Sequence, residues 1–143
     1  MNKTQLRKKL SKYIDCRGRI KNNSEEIERL RGCMHRVTVA YRDAPGWDRK
    51  TSDQAVILTE IDKLTQKIRA DSGRLETERQ RVEALINRLN NKDDRDVLRM
   101  IYITGYKPKE VGIELALSRS QVYRIRARAE FKLLKKDATK CDK

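Results

Sequence analysis

Four side chains that can hydrogen-bond the edges of DNA bases lie close together near the C-terminal end of the chain. They are Arg119, Ser120, Tyr123 and Arg124. If residues 119–134 form a helix, these four point away from its apolar side. An arginine can bind O6 and N7 of guanine at once, which discriminates against other bases by ~1–3 kcal/mol. We therefore predict that these four residues read bases in the major groove.

The same region carries polar side chains suited to phosphate groups. The predicted phosphate contacts are Lys109, Gln121, Arg126, Arg128 and Lys132. Phosphate contacts orient a protein on a duplex without reading its sequence. Between Leu117 and Lys136 there are 7 basic residues against one acidic residue, Glu130. This excess of positive charge indicates double-stranded DNA as the partner.

Local signals place these side chains on a helix-turn-helix. Pro108 suits the first position of a helix, and Ser118 with Gln121 forms a capping box that starts the next one. Gly112 and Ala116 are small where the two backbones must approach each other. The apolar residues expected between the two helices are Val111, Leu115, Leu117, Val122 and Ile125.

A preceding helix completes the predicted module. Asn90 or Asn91 can cap it, acidic residues occupy its first turn, and Gly105 ends it. Its apolar residues are Val97, Leu98, Ile101 and Tyr102. We predict a small three-helix domain over residues 91–136, followed by a polar tail over residues 137–143.

The N-terminal part of the chain is predicted to be a long antiparallel helical hairpin over residues 1–90, so that the fold is all-α. A turn is expected over residues 43–51, since Pro45 and Gly46 break the helix and Thr51 with Gln54 opens another. The seam of the second helix repeats every seven residues at Ile61, Ile68, Leu75, Val82 and Leu89. Its companion positions, four residues further on, are Thr65, Ser72, Arg79 and Ile86. Because half of this seam is polar, we expect pairing within the chain and a homo-oligomer, a dimer, in addition.

The helix-turn-helix residues resemble region 4 of bacterial sigma-70-type factors. The matching residues are Glu110-Val111-Gly112, Leu115, Leu117-Ser118-Arg119, Val122, Ile125 and Ala127-Arg128-Ala129. The resemblance implies recognition of a promoter element and contact with RNA polymerase. Ser120 stands where glutamate is usual and Arg124 where glutamine is usual, which predicts a different DNA site.

The whole chain resembles phage late-gene transcriptional regulators of the ArpU/RinA type, which set a helical N-terminal part before a module of this kind. Arg49-Lys50-Thr51 and Ala55-Val56 are also similar to theirs. The resemblance implies a sequence-specific transcriptional regulator, an activator of late genes. Two alternatives stay open: an RNA polymerase-binding adaptor or inhibitor, and a small terminase-like DNA-packaging subunit.

Composition excludes several other classes of protein. The chain of 143 residues has a net charge of +14, 39% charged residues and 5% aromatic residues. It has one histidine, three widely spaced cysteines and no phosphate-binding glycine loop, so we expect no enzyme, no metal site and no cofactor. No apolar stretch is long enough for a membrane span, and no signal peptide is recognisable, which predicts a cytoplasmic protein.

The first predicted helix is unusually basic. Residues 1–42 contain 12 basic and 4 acidic residues, a net charge of +8. The basic residues near its start are Lys3, Arg7, Lys8, Lys9, Lys12, Arg17, Arg19 and Lys21. They either form a solvated face, partly paired with acidic residues of the second helix, or add phosphate contacts.

Overall fold

A computed structural model describes the backbone of residues 1–41 and 47–139, and the side chains of residues 1–36 and 53–139. Over these residues the chain forms α1 (Lys3–Tyr41), α2 (Trp47–Ile86), α3 (Lys92–Arg99), α4 (Pro108–Leu115) and α5 (Arg119–Ala138). A π-helical turn, Met100–Thr104, extends α3. No β-strand occurs in this part of the chain, so the predicted all-α class is confirmed.

The two long helices α1 and α2 pack against each other in antiparallel directions. Leu6 and Leu10 near the start of α1 share a core with Val82 and Ile86 near the end of α2. Further along α1, the side chain of Arg19 binds Asp71, which lies earlier in α2. The predicted helical hairpin is therefore confirmed.

The residues that α2 buries differ in part from those predicted for its seam. Val82 is fully buried, whereas Ile61, Ile68 and Leu75 are half-buried. Leu89 is also buried, but it lies beyond the end of α2 at Ile86. The second row of the seam includes Leu64 and Asp71, three residues after Ile61 and Ile68, whereas Ser72, four residues after Ile68, is exposed. Residues three and four apart both lie on one helical face, so periodicity does not choose between them.

The start of α2 was predicted too late. The helix already begins at Trp47, so Thr51 lies inside it and does not cap it. The breaking residues Pro45 and Gly46 precede Trp47, and nothing in residues 47–50 opposes a helix. Residues 43–46 of the predicted turn lie outside the described residues.

The chain forms two compact units, and neither unit begins or ends at the predicted boundary between residues 90 and 91. One, which we call the head, comprises residues 1–16 and 75–143, and the other, the arm, comprises residues 17–74. The first part of α1 and the last part of α2 belong to the head because their residues share its core. That core contains Leu6, Leu10, Val82, Ile86, Leu89, Leu98, Tyr102, Ala129 and Leu133.

The arm has a thin core of its own. Ile27 and Leu64 are buried in it, and the buried carboxylate of Asp71 accepts two hydrogen bonds from Arg19 at 3.0 and 3.1 Å. Ion pairs between residues three apart, such as Arg31 with Glu28, cover its surface. Such exposed pairs stabilise a helix only slightly.

The helix boundaries in the head follow the predicted capping signals. Asn91 accepts a hydrogen bond from the backbone N–H of Asp93, and Gly105 ends the π-helical turn with a left-handed φ of 86°. Ser118 and Gln121 form both hydrogen bonds of the capping box, at 2.8 and 3.2 Å. α5 continues to Ala138, so the polar tail predicted from residue 137 begins later.

The helix-turn-helix has the predicted core. Val111 of α4 and Val122 of α5 are fully buried together with Val97 of α3. The backbone N–H of Leu117 donates to the carbonyl oxygen of Gly112 at 2.8 Å. A Cβ on Gly112 would lie 2.6 Å from the carbonyl oxygen of Leu117, so the turn between α4 and α5 requires glycine there.

We therefore expect Gly112→Ala to lower the free energy of unfolding by about 1–3 kcal/mol, since the added methyl group forces α4 away from the turn. Chemical denaturation followed by circular dichroism measures this loss. Gly73→Ala is the matched control, because no atom lies within 4 Å of its new Cβ. It should stabilise α2 by up to about 1 kcal/mol, and equal losses in both variants would contradict the assignment.

Candidate nucleic-acid interface

The first two turns of α5 present the four residues predicted to read bases. Arg119, Ser120, Tyr123 and Arg124 are all exposed. The guanidinium group of Arg119 lies over the ring of Tyr123, 5.7 Å from its centre. Within the described residues, neither Arg119 nor Arg124 has a carboxylate partner. Their hydrogen-bond donors are therefore available to an external acceptor.

The side of α5 that faces away from these four residues is buried in the protein. Val122, Ala129 and Leu133 are almost completely removed from solvent. Val122 packs in the core of the helix-turn-helix, whereas Ala129 and Leu133 pack in the core shared with α1 and α2. These contacts determine which residues at the start of α5 point outward.

Two of the five predicted phosphate contacts lie at helix starts. Lys109 is exposed in the first turn of α4 and makes no ion pair with a described residue. Gln121 uses its side-chain oxygen to accept from the backbone N–H of Ser118, which leaves its amide N–H groups free. Both positions stay predictions as contacts to phosphate.

The third, Arg126, belongs to a buried cluster around Glu130. Glu130 has no exposed surface, and its carboxylate accepts from Arg126 Nε at 3.0 Å and from the Tyr102 hydroxyl at 3.1 Å. Arg7 of α1 donates two more hydrogen bonds from Nε, both at 3.1 Å, and one from Nη2 at 3.0 Å. Arg126 Nη2 also donates to the Tyr102 hydroxyl at 2.8 Å. We call this set the Glu130 cluster.

The remaining two, Arg128 and Lys132, bind a second buried carboxylate. Asp94 of α3 has no exposed surface and accepts from Arg128 Nη2 at 2.6 Å and Lys132 Nζ at 2.7 Å. The two basic side chains remain roughly half exposed. These ion pairs attach α5 to α3, a structural role that the sequence analysis did not include, and phosphate contact by either residue stays a prediction.

Both buried carboxylates are charged at neutral pH. Burial alone would raise the pKa of Glu130, but the hydrogen bonds and charge of Arg7 and Arg126 lower it below its ordinary value. Burial likewise opposes ionisation of Asp94, and the hydrogen bonds from Lys132 and Arg128 lower its pKa. Burial raises the pKa of Tyr102, so its hydroxyl keeps its proton and donates to Glu130.

The C-terminal half of α5 carries an exposed aromatic residue. Phe131 is 57% exposed, and Lys135 Nζ lies 4.7 Å from the centre of its ring. Lys136 instead donates to the backbone oxygen of Arg88 at 2.6 Å, which fastens the end of α5 to the end of α2.

The sequence analysis missed Arg7 and Tyr102 as partners of Glu130. One signal was present: Glu130 is the one acidic residue among seven bases in the α5 region. Such an isolated acid within a basic helix indicates a buried partner for several cations. Nothing in the local sequence, however, points to Arg7, which lies 123 positions away.

The described part of the chain contains no group of three or more histidine, cysteine or acidic residues arranged to hold a metal ion. Cys16 is buried and Cys33 is half-buried, neither forms a disulfide bond with a described residue, and Cys141 lies outside the described residues. No described helix is long and apolar enough to span a membrane.

Much of the chain matches a known protein family. Residues 39–134 match the family described as "Protein of unknown function (DUF1492)". The chain belongs to this family. The DUF1492 match includes all of α2 to α4 and most of α5, but it does not include Arg7 of the Glu130 cluster. No curated protein and no solved structure matches the chain.

We expect Glu130→Gln to lower the free energy of unfolding at pH 7 by roughly 2 kcal/mol. This is less than the ~3–5 kcal/mol of a fully buried pair, since the Arg7 side chain is 45% exposed. Because the pKa of Glu130 is lowered on folding, its stabilising effect is complete above its ordinary pKa of 4.5 and is lost as the pH falls through the lowered value. The difference between the two proteins should therefore shrink as the pH falls below 4.5, as measured by urea unfolding.

Glu26→Gln is the matched control for this experiment, because Glu26 also pairs with an arginine, Arg29, but on the exposed surface of α1. It should change the free energy of unfolding much less than Glu130→Gln at every pH, because solvent screens this exposed pair. A constant difference between wild type and Glu130→Gln across the pH range would contradict the role of the carboxylate charge.

Proposed function

We propose that the chain is a sequence-specific DNA-binding transcriptional regulator that inserts the first two turns of α5 into the major groove. The observation that carries this proposal is the contrast among the basic residues of α5. Arg126, Arg128 and Lys132 are held by buried carboxylates, whereas Arg119 and Arg124 have no such partner among the described residues. A helix with free arginines at its start and a buried opposite side is suited to base recognition.

The +14 net charge and the capped helix-turn-helix core support the same proposal. The resemblance to region 4 of sigma factors and to ArpU/RinA-type regulators extends it to activation of phage late genes. The site of action is then the cytoplasm of the bacterial host. Ser120 and Arg124 set the base preference apart from that of an ordinary −35 element.

Selection of bound sequences from random duplex DNA at near-physiological salt tests the proposal. A defined motif supports it, and a repeated half-site gives the spacing of a dimer. Weak enrichment together with steep salt dependence would reject sequence-specific reading, because backbone contact alone behaves in this way.

We expect Arg124→Ala to weaken binding to the selected motif by about fivefold to 150-fold, which corresponds to the ~1–3 kcal/mol of a bidentate guanine contact. Binding to unrelated duplex DNA should fall much less, since a single exposed charge is lost. Fluorescence anisotropy titrations at matched salt measure both affinities.

Arg69→Ala is the matched control, since Arg69 is an exposed arginine of the arm without an ion-pair partner among the described residues. It should leave both affinities unchanged. An equal loss on the motif and on unrelated DNA for Arg124→Ala would assign Arg124 to the phosphate backbone instead.

A second function, contact with RNA polymerase, is favoured by the outer face of α4. Ile113 is 72% exposed there, and it shares a shallow depression with Tyr106, Glu110 and Glu114. An acidic patch with an exposed apolar residue repels DNA but suits a protein surface. We propose that this patch binds the polymerase while α5 binds the promoter.

We expect Ile113→Ser to weaken binding of the DNA-free protein to RNA polymerase by roughly tenfold, because hot-spot truncations commonly cost more than 1 kcal/mol. Biolayer interferometry with purified polymerase measures this loss. Ile113→Ser should not change affinity for the selected DNA motif. Unchanged polymerase binding would remove the second function and leave the first intact.

We further propose that the protein is a homodimer whose contact surface lies in the hairpin. Ile61 and Ile68 are half-buried there, and Val56 and Leu58 are 65% and 49% exposed. Sedimentation equilibrium measures the mass directly. A ring of many subunits would favour the DNA-packaging alternative over the regulator.

A further inference from the structure

A groove in the head lies between the first part of α1 and the last part of α2. Its volume is about 330 Å³. Four basic residues line it: Lys9 and Lys12 from α1, Arg81 from α2, and Arg88 from the turn that follows α2. Glu78 and an apolar floor of Ala84 and Leu85 complete the lining.

The four basic residues differ in their partners. Arg81 pairs with Glu78 at 2.7 Å, and Arg88 pairs with Asp137 of α5 at 2.9 Å. Lys9 and Lys12, by contrast, are exposed and form no ion pair with any described residue. The two lysines therefore contribute positive charge that the surrounding protein does not neutralise.

The shape of the site concentrates this charge. Lys9 and Lys12 lie one helical turn apart and face the same concave surface as the two arginines. Like charges lining a cleft raise the local positive potential above that of a flat surface. An anion that enters the groove meets four cationic groups and one carboxylate, Glu78.

The apolar floor narrows the choice of anion. A nucleic-acid backbone alternates charged phosphate groups with sugars, whose carbon atoms can lie against Ala84 and Leu85 while the phosphates meet the lysines. The groove also belongs to the same compact unit as α5, for which duplex DNA is the proposed ligand.

We propose that this groove binds the phosphate backbone of duplex DNA as a second contact, separate from the major-groove site of α5. The inference rests on the proposed function for the identity of the ligand. It resolves the two interpretations of the basic first helix: Lys9 and Lys12 bind phosphate, whereas Arg7 serves the Glu130 cluster inside the protein.

The test uses the full chain and the double variant Lys9→Gln/Lys12→Gln, which keeps the aliphatic part of each side chain and removes two charges. Affinity for an unrelated duplex of about 30 base pairs is measured by anisotropy from 50 to 200 mM salt. The plot of log affinity against log salt has a negative slope. Loss of two phosphate contacts should make this slope less steep by ~1.8. The double variant should then lose about twelvefold less affinity than wild type over this range, since each phosphate contact contributes ~0.9 to the slope.

The matched control is Lys67→Gln/Arg69→Gln, which removes the same charge from exposed positions of the arm that form no ion pair with a described residue. Its slope should equal that of wild type. Thermal unfolding of both double variants should match wild type, because none of the substituted side chains forms an ion pair with a described residue. On the selected motif, the ratio of specific to non-specific affinity should also stay constant, because phosphate contacts do not read sequence.

Other outcomes would reject the groove as a phosphate site or reject the proposed function, and the measurements distinguish these two cases. An unchanged slope rejects the groove as a phosphate site, and equal slope changes in both double variants assign the effect to total charge. An unchanged slope with altered molecular mass would assign the groove to contact between protein molecules. Failure of wild type to select a motif would reject the proposed function, while the slopes on unrelated DNA would still decide the role of the groove.

Discussion

The ionised carboxylate of Glu130, enclosed in the head, is the interaction on which the arrangement of α5 depends. A buried charge without partners is prohibitively unfavourable, so the fold must supply donors from several elements at once. Arg7 comes from α1, Tyr102 from the π-helical turn after α3, and Arg126 from α5 itself. Because removal of one partner leaves the other charges uncompensated, the cluster is satisfied only when these three elements are assembled together. The orientation of α5 against the hairpin is thereby specified, and with it the set of side chains that point outward.

Some basic residues of the head pair with carboxylates inside the protein, and others have no such partner among the described residues. Asp94 and Glu130 neutralise the basic residues along the inner and lateral faces of α5. Arg119 and Arg124 at the start of α5, and Lys9 and Lys12 on α1, are left without carboxylate partners among the described residues. The ion pairs therefore do more than stabilise the fold. They hold Arg126, Arg128 and Lys132 against carboxylates of the protein, whereas Arg119 and Arg124 on α5 and Lys9 and Lys12 in the groove keep their charge available to an external polyanion.

Much of this arrangement could be predicted from local signals. Helix capping depends on residues three positions apart, so Ser118 with Gln121 located the start of α5, and Asn91 located the start of α3. The need for a small residue where backbones approach identified Gly112, and the outward direction of Arg119 and Arg124 followed from the burial of Val122. The errors came where the local signal was ambiguous. A possible cap at Thr51 competed with a helix that begins a turn earlier at Trp47, and seven-residue periodicity did not distinguish positions three and four residues apart.

The sequence by itself determined the helices, their order, the helix-turn-helix and the residues at its exposed start, because each depends on neighbours within about one or two helical turns. The tertiary structure decided which charges are used inside the protein. Arg7 and Glu130 are 123 positions apart, and Lys9 and Arg81 come from different helices, so no local pattern relates them. The pairing of a charged side chain depends on distance in space and on burial, and both are set only when the hairpin closes against α5.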